Sequence, residues 1–542
     1  MNKIQKLNRI FQTVRHLKFK QIQYQVFYRL RGQVRRATGW KFVPPQYNRP
    51  ENGQKPLVLQ HSIESYISNL GKNNFSFLNL THQFEDKIDW NCPKFGKLWA
   101  YNLNYFEFLG QKNISNDEKL RLIDDFIEQY PTNREGCEPY PISLRLIFWI
   151  KFLSENQIQN EKINRSLWEQ THQLLDHLEY HLLGNHLLEN AFGVTFAAYF
   201  FNDEKLFSTA EKLLLAELDE QILADGAHFE LSPMYHQIIF YRVLDTLNLV
   251  KNNPKFGERG SKIQAKLEQK ASRMRTWLEN ITFNSGDIPH FNDSIDGIAP
   301  TTKNLVDYAN RLGVPNQNLP LQDSGYRKFV NPNFELIADI GKIGPDYIPG
   351  HAHSDTLNFV LYLKNKPFII DKGISTYEKN AQRQLERQTV SHNVVQVEDA
   401  EQSDVWGGFR VGRRARVTVS HDNEKTLQAH HDGYKNFDIA HERTFMISEN
   451  HILIEDYLEN KKRYSLKAYF HFAAGIEPIL EENHRVTFKN APPPVYLTFS
   501  SKNNIKKMYI ESFDLPLGYN SFVKSKKLVV IFDNHLTTTI GF

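Results

Sequence analysis

Apolar residues recur every three or four positions along most of the first 320 residues, the spacing of amphipathic helices. Short polar connections separate these segments, and helices joined by short loops commonly pack as antiparallel pairs. The predicted helices are Leu120–Tyr130, Ile142–Leu153, Ile163–Leu183, Leu187–Phe201, Glu204–Leu223, Pro233–Val250 and Ile263–Ile281. Such a series could form a ring or a superhelix of helix pairs. The lack of a repeat of fixed period disfavours a standard solenoid.

The pattern changes near residue 320, where short apolar runs separated by turn residues replace the helical spacing. Many strands without intervening helices indicate an antiparallel sandwich. The predicted strands are Asn358–Leu363, Pro367–Ile370, Ala415–Ser420, Thr444–Ile447, Ile452–Tyr457, Tyr469–Phe472, Val495–Phe499 and Leu528–Phe532. We therefore expect a helical domain over residues 56–325 and a β domain over residues 326–542, packed firmly because no low-complexity linker separates them.

The first 55 residues form a basic arm. Ten lysines and arginines fall within the first 36 residues, and no acidic residue precedes Glu51. Apolar residues at helical spacing lie among them, namely Ile4, Leu7, Ile10, Phe11, Val14 and Leu17. Such a helix either packs on the protein body, the favoured interpretation, or contacts an anionic membrane surface.

Composition narrows the class of protein. A hydrophobic content of 40% and a charged content of 24% fit a globular protein, and a net charge of +4 is too small to indicate nucleic-acid binding. Cys92 and Cys137 cannot form a disulfide framework. Neither a membrane-spanning run nor a standard signal peptide is evident, so we expect a cytoplasmic protein or one peripheral to the inner membrane, with a periplasmic location disfavoured. Walker A, dinucleotide-binding and G-x-S-x-G motifs are absent.

The first chemical cluster is Gly184-Asn185-His186 with Glu189, at a predicted junction between two helices. Gly184 fits a helix stop and Asn185 fits an N-cap. His186 and Glu189 are three residues apart and share a helix face. A purely structural role, with helix capping by Asn185 and a histidine ring hydrogen-bonded within the fold, explains this cluster equally well.

The second cluster places Tyr235 in the first turn of a helix, because Ser232 fits the N-cap and Pro233 the first helical position. A helix N-terminus favours a phenolate, but by only about 1–2 kcal/mol. Lowering the pKa of a tyrosine from about 10 to about 7 needs about 4 kcal/mol, so a neighbouring cation or histidine must supply the rest. A buried tyrosine with one hydrogen bond is the simpler alternative.

The third cluster combines His351 and His353 with Asp371 and the later His392. Two imidazoles and one carboxylate, with a fourth position open, suit zinc. Here the alternative is a polar loop cluster held by hydrogen bonds.

Further polar and aromatic residues are candidates for lining a sugar-binding groove, since arginine binds carboxylates in bidentate fashion. Each of them alone is more often structural. They are Trp99, Tyr101, Glu138, Tyr140, Arg145, Asn292, Asp293, Arg387 and Trp406.

In these motifs and their order, the chain resembles the heparinase II/III superfamily of polysaccharide lyases over roughly residues 90–450. The motifs are Asn185-His186-x-x-Glu189, Ser232-Pro233-Met234-Tyr235-His236, Gly350-His351-x-His353, Ile370-Asp371-x-Gly373 and Arg387-x-x-x-x-His392-Asn393. The resemblance implies an α+β multidomain protein, an (α/α) toroid followed by an antiparallel β-sandwich.

The resemblance also implies cleavage by β-elimination beside a uronic acid. Asn185 and His186 would neutralise the substrate carboxylate and so make an enolate-like intermediate accessible. Tyr235 would take the C5 proton, protonate the leaving oxygen, or both, and His351 would be a second acid/base. Glu189 would orient the neutralising residues. The second half has no clear match for a second catalytic tyrosine, and Tyr377 is only a candidate for it.

By the same resemblance, His353, Asp371 and His392 would hold a structural metal, expected to be zinc. The arm and the sequence of residues 406–414 most resemble family members linked to bacterial capsule or lipopolysaccharide gene clusters. An acidic surface glycan of the producing bacterium is therefore the expected substrate.

Two other functions remain open. One is a glycoside hydrolase using Glu189 with Glu230 or Asp287 with Asp293; the other is a non-catalytic glycan-binding or assembly protein tethered by the arm.

Overall fold

The computed structural model describes residues 3–51, 53–491, 495–502 and 504–542. Residues 1, 2 and 52 and the side chain of Ile4, which belong to the predicted arm, lie outside this description. The helices are α1 (Lys3–Val14), α2 (Phe19–Thr38), α3 (Lys97–Tyr105), α4 (Asn116–Gln129), α5 (Pro139–Glu155), α6 (Glu161–Asp176), α7 (Gly184–Phe201), α8 (Glu204–Gln221), α9 (Pro233–Asn252), α10 (Gly257–Ile281), α11 (Thr302–Arg311) and α12 (Ala381–Glu386).

Side-chain caps begin four of the long helices of the first half. Ser115, Asn160, Asp203 and Ser232 each accept a hydrogen bond from a backbone N–H in the following turn. Each cap satisfies an N–H that has no partner inside its helix, which fixes where the helix begins.

Helices α5, α7 and α9 form the centre of the helical half. Almost every residue of α7 is buried, because apolar residues cover all sides of this helix. Neighbouring helices pack in succession, α5 on α7, α7 on α8 and α9 on α10. This arrangement of helix pairs agrees with the helices predicted from the sequence.

The strands of the second half run from β4 onward and are antiparallel. The strands are β1 (Asn69–Gly71), β2 (Asn74–Phe77), β3 (Leu80–Gln83), β4 (Tyr326–Val330), β5 (Phe334–Asp339), β6 (Asn358–Leu363), β7 (Lys366–Ile369), β8 (Val395–Val397), β9 (Val405–Trp406), β10 (Arg410–Val411), β11 (Val417–Asp422), β12 (Thr426–His431), β13 (His441–Ile447), β14 (His451–Leu458), β15 (Leu466–His471), β16 (Glu477–Glu481), β17 (Arg485–Lys489), β18 (Tyr496–Ser500), β19 (Ile505–Gly518), β20 (Ser521–Phe532) and β21 (His535–Gly541).

Three sheets share the apolar core of the β half. An eight-stranded sheet runs in the order β11-β12-β13-β14-β21-β18-β17-β16, and two four-stranded sheets run β19-β20-β15-β8 and β4-β5-β6-β7. Alternate side chains of these strands point into one buried cluster, as expected for packed sheets. The molecule is thus a helical half followed by antiparallel sheets, the predicted α+β class.

Two local features differ from the sequence prediction. A small sheet, β1-β2-β3, lies within the helical half, where no strand was predicted; alternate burial along β2, with Phe75 and Phe77 inward, stabilises it. Helix α6 ends at Asp176 rather than continuing to Leu183. The apolar residues after it, such as Leu178 and Leu183, pack into the core from an irregular segment.

Candidate functional site

The candidate site lies where the two halves meet, at the start of α7. Gly184 has a φ of +58°, and the helix begins there. The next residue, Asn185, is buried, and its Nδ2 donates to both carboxylate oxygens of Glu230, at 3.0 and 2.9 Å. The amide of Asn185 is therefore held in one orientation by Glu230, which the sequence suggested only as a hydrolase residue.

His186 is held by a different carboxylate. Its Nδ1 lies 2.9 Å from Oε1 of Glu179, and the other oxygen of Glu179 accepts from Nδ2 of Asn190. Burial lowers the pKa of His186, but the charge and hydrogen bond of Glu179 outweigh this and the pKa is raised overall. With Nδ1 committed to Glu179, Nε2 remains the ring atom that can meet a ligand.

Tyr235 occupies the first turn of α9, as predicted, and its backbone N–H donates to the Ser232 cap. Its ring stacks on that of His351, with centroids 3.8 Å apart, and its hydroxyl lies 3.1 Å from that of Tyr377. Burial raises the pKa of Tyr235 above its usual value, although the hydrogen bond from Tyr377 lowers it. Burial outweighs that hydrogen bond, so the resting phenol keeps its proton.

Asp293 binds three side chains at the centre of the site. Its carboxylate accepts from Nδ1 of His351 at 2.8 Å, from Nε2 of His353 at 2.9 Å, and from Arg383 through two nitrogens. Burial alone would raise the pKa of this carboxyl, but the charge of Arg383 and the histidine hydrogen bonds hold it well below the usual range. Asp293, predicted as a sugar contact, is a buried anion that positions His351.

Tyr377 completes the group of candidate acids and bases. Its hydroxyl lies 3.3 Å from Nδ1 of His351, and its ring packs edge-on against Tyr519 at 5.6 Å. Tyr519 lies in the turn between β19 and β20. No sequence pattern indicated Tyr519 or Arg383, because both reach the site through long-range folding rather than through a local motif.

Glu189 lies beneath the site and is fully buried. Neither of its carboxylate oxygens has a hydrogen-bond partner among the described residues; the nearest cation is Arg242, whose Nε is 3.5 Å from Oε1. Burial raises the pKa of Glu189 to about 7. The contacts that orient His186 and Asn185 come from Glu179 and Glu230, so the orienting role predicted for Glu189 falls to these two residues.

A group of residues that could hold a metal ion lies behind His351. Ligand atoms of Asp355, Asp371 and His392 lie within 4.8 Å of one another, and all three residues are buried. Asp371 Oδ2 accepts from Nδ1 of His392 at 2.7 Å. The sequence prediction included Asp371 and His392, but it missed Asp355 and named His353 instead.

The polar atoms left over in this group fit a metal. Among the described residues, Oδ2 of Asp355, Nε2 of His392 and Nδ1 of His353 are buried without hydrogen-bond partners. The rings of His353 and His392 are 5.3 Å apart. Unpaired buried polar atoms are costly, and an ion bound by them would remove that cost.

Several predicted groove residues are in the interior instead. Trp99 and Arg145 are fully buried; Trp99 donates to Leu80 O, and Arg145 donates to backbone and amide oxygens. Buried Arg387 donates to Ala352 O, and Asn292 bridges Leu231 O and the N–H of His353. The prediction that these four residues contact sugar is wrong. The same kinds of side chain also donate hydrogen bonds to buried backbone carbonyl groups, as they do here.

An aromatic row remains beside His186. Tyr140 lies 4.8 Å from the His186 ring, Tyr105 lies 6.0 Å from Tyr140, and Tyr101 lies 6.1 Å from Tyr105. At the outer end, the Tyr101 hydroxyl donates to Glu138, which also pairs with a lysine. Trp406 is elsewhere: its Nε1 donates to Thr13 of the arm, 3.2 Å away.

Two family models match this chain. The model described as Heparinase II/III N-terminus matches residues 72–317, and the model described as Heparinase II/III-like, C-terminal, matches residues 314–536. A heparin-sulfate lyase of Pedobacter heparinus is 24% identical over 398 residues, which are 66% of this chain and 56% of that protein. A heparin-sulfate lyase of Bacteroides stercoris is 23% identical over 327 residues, 55% of this chain and 47% of that protein. The chain thus spans about half the length of these curated relatives.

Solved structures show the same fold. A crystal structure of heparinase III superposes with a TM-score of 0.63 at 14% identity, covering 85% of this chain and 78% of that one. A heparan sulfate lyase from Pedobacter heparinus gives a TM-score of 0.56 at 17% identity, covering 87% and 81%.

Proposed function

Because this chain belongs to the heparinase II/III-like family, we propose that it is a polysaccharide lyase that cleaves a uronic-acid-containing glycan by β-elimination. The observation that carries the proposal is the convergence of Asn185, His186 and Tyr235 from the helical half with His351 and Tyr377 from the β half. These residues supply hydrogen-bond donors and proton carriers in one cluster, in which Asn185 is buried and the other four are half-buried.

The reaction breaks the C5–H bond and the C4–O4 bond of the uronate and forms a C4–C5 double bond. A C5 proton beside a free carboxylate is weakly acidic, so the carboxylate must first be neutralised by hydrogen bonding. Asn185 and His186 are suited to this, since Glu230 and Glu179 already hold their side chains in place. Preorganised donors avoid reorganisation during the reaction.

Proton transfer falls to Tyr235 and His351. Burial keeps Tyr235 protonated at rest, so its phenol can protonate the leaving O4. His351, which is held by Asp293 and stacked on Tyr235, can take the C5 proton or act when that proton lies on the other face.

We further propose that Asp371 and His392, with Asp355 or His353, hold zinc. The nitrogen and carboxylate donors match the ligands that zinc prefers, and the unpaired atoms described above offer them. The ion would have a structural role, bracing the loops of the β half beside His351.

The substrate class follows from the reaction and the relatives. Both curated relatives are named heparin-sulfate lyases, which supports an acidic, uronate-bearing polymer. We propose an acidic surface glycan of the producing bacterium, of the capsule or lipopolysaccharide type, as the polymer cleaved.

The test is incubation with a panel of uronate-containing polysaccharides, including bacterial surface glycans and heparan sulfate, while following the ultraviolet band of an unsaturated uronate. Tyr235→Phe should lower kcat/KM by about 10²–10⁴-fold, the usual contribution of general acid–base catalysis. Tyr457→Phe, at an exposed position of β14, is the matched control and should keep full activity. Wild-type activity in Tyr235→Phe would contradict the assigned role.

The same assay separates the alternative functions. New reducing ends without unsaturation would identify a hydrolase, although Glu230 and Asp293 are committed to Asn185 and His351. Tight binding without any product would identify a glycan-binding protein.

The metal is tested on the purified protein. Elemental analysis should find about one zinc per chain, and chelation should lower the melting temperature. Asp371→Asn should lose the metal, while His421→Ala, on the exposed strand β11, should keep it. Absence of metal from a stable wild-type protein would exclude the site.

A further inference from the structure

Helix α2 is attached to the protein body along one face only. Tyr28 donates to Leu178 O at 2.6 Å, and Arg35 forms a bidentate pair with Asp176 at 2.8 and 2.9 Å. Nearer the helix start, the buried Gln21 donates to Leu182 O and Tyr347 O. These contacts fix which face of α2 is turned away from the body.

The opposite face of α2 is apolar and exposed. Its side chains recur at helical spacing, so they form one continuous stripe along the helix. They are Phe19, Ile22, Val26, Phe27, Leu30 and Val34, with exposures between 42% and 79%.

Helix α1 extends this surface. Thr13 and Arg9 face the loop of residues 406–412, where Thr13 accepts from Trp406 and Arg9 packs on Gly412. The other side of the helix carries exposed apolar residues at spacings of three and four. They are Leu7, Ile10, Phe11 and Val14, the most exposed being Leu7 at 66%.

We name these ten side chains of α1 and α2 the apolar arm surface. Single exposed apolar residues are normal on a protein surface, but an apolar stripe on each of two successive helices indicates a binding surface. Nothing in the described part of the chain covers it, as the exposures show. The favoured sequence interpretation, a helix that packs on the body, describes the side of α1 that meets residues 406–412 but not its exposed apolar side.

The charged residues of the arm helices are all basic. No acidic residue precedes Glu51 in the chain. Lys20 and Arg29 are exposed and lie at the two edges of the apolar stripe of α2, and the exposed Arg36 follows Arg29 on the same edge. Apolar residues in the middle and cations at the edges are the pattern of helices that lie in a membrane interface.

We propose that the apolar arm surface binds the surface of an anionic lipid bilayer, with α1 and α2 lying in the plane of the headgroups. The cations at the edges would pair with anionic headgroups, at about 1 kcal/mol each. A second copy of the chain is a poorer partner, because it would bring the cationic edges of two arms together. Neither arm helix, nor any other helix in the described ranges, has the length and apolar character to cross a membrane.

The arm is joined to the segment that leads to the candidate site. Lys18 lies 4.0 Å from the centre of the Tyr347 ring, and Gln21 donates to Tyr347 O, four residues before His351. Binding through the arm would thus hold the candidate site at a fixed position relative to the bilayer.

The experiment is sedimentation of the full chain with vesicles of phosphatidylcholine alone or mixed with phosphatidylglycerol. We expect binding to the anionic vesicles. This binding should weaken several-fold when salt rises from about 0.1 to about 0.5 M, because the distance over which charges attract each other becomes shorter. The triple variant Phe19→Ser/Val26→Ser/Leu30→Ser should bind at least about tenfold more weakly, since it removes buried apolar area.

The matched controls replace residues outside the arm whose exposures are similar to those of the replaced arm residues. Ile67→Ser/Val330→Ser/Leu517→Ser removes three exposed apolar side chains outside the arm and should bind as wild type. Arg29→Gln/Arg36→Gln should weaken binding to anionic vesicles, while Lys366→Gln/Lys489→Gln should not. Activity on a soluble substrate should be unchanged in all four variants, which separates this proposal from the proposed function.

Three outcomes would overturn the proposal. They are no binding to anionic vesicles, equal binding to both lipid compositions, and a concentration-dependent dimer that the arm triple variant abolishes without any vesicle binding. The last outcome would assign the surface to self-association.

Discussion

Three buried carboxylates hold the polar side chains of the candidate site. Glu230 binds Asn185, Glu179 binds His186, and Asp293 binds His351. Moving a polar group out of water costs free energy unless the group is hydrogen-bonded, so each amide or imidazole here needs its partner. The partner also fixes the direction in which the remaining donor or acceptor points.

The pair of Glu179 and His186 predicts a pH-dependent stability. The pKa of Glu179 is lowered from 4.5 and that of His186 is raised from 6.5. The stability contributed by Glu179 is present above pH 4.5 and is lost as the pH falls. The stability contributed by His186 is present below pH 6.5 and is lost as the pH rises through its higher folded pKa.

Glu179→Gln should therefore destabilise the protein most near pH 5.5, by about 1 kcal/mol for a partly exposed imidazole. The difference from wild type should shrink towards pH 8.5. Urea unfolding of both proteins at the two pH values measures it, with Glu169→Gln, on α6, as the control. A difference independent of pH would show that Glu179 acts through packing rather than through charge.

At the scale of elements, the site depends on where two helices begin. The start of α7 presents Asn185 and His186, and the start of α9 presents Tyr235. Ser232 and Pro233 determine the start of α9 by a cap and a fixed φ. The start of α7 depends instead on Gly184, whose φ of +58° suits a residue without a Cβ.

Gly184→Ala should damage both stability and activity. The new Cβ would lie 2.8 Å from Oε1 of Glu230 and 2.9 Å from Ile348, and the positive φ adds about 1 kcal/mol of strain. We expect a loss of about 2 kcal/mol in the free energy of unfolding. Since Glu230 holds Asn185, kcat/KM should fall at least about tenfold.

Gly257→Ala is the matched control, because its φ is +54° but nothing lies within 4 Å of the added Cβ. It should lose only the stability that the backbone strain costs, and its kcat/KM should equal that of the wild type. Equal effects of the two variants would mean that the contact with Glu230 is unimportant.

At the scale of the whole molecule, Asp293 joins the two halves. It lies in the segment after α10, whereas His351, His353 and Arg383 belong to the β half. The side chains of Asp293 and Arg383 are both fully buried. Removing one member of a buried ion pair leaves the other charge without compensation.

Asp293→Asn should therefore lower the free energy of unfolding by about 3–5 kcal/mol. It should also lower kcat, because His351 loses the anion that positions it. Urea unfolding and the unsaturated-uronate assay measure the two effects. Asp323→Asn, at an exposed position before β4, should leave both unchanged; a stable and active Asp293→Asn would refute the bridging role.

The hydrophobic pattern was enough to predict the helical half, the β half and most of their elements. Hydrophobic periodicity predicted α7, α9 and the strand β6, because each must bury a face or a whole surface. Local cap chemistry placed Tyr235 in a first turn, and the spaced motifs identified Asn185, His186 and His351.

The surroundings of these residues could not be predicted, because they come from contacts between distant segments of the chain. Glu179, Arg383 and Tyr519 reach the site through long-range packing, and Asp355, which the sequence prediction lacked, lies with Asp371 and His392. Trp99 and Arg145 are buried because the same side chains that bind sugars also satisfy a core. Periodicity records which residues must leave water, whereas the partner each polar group finds depends on contacts between distant segments.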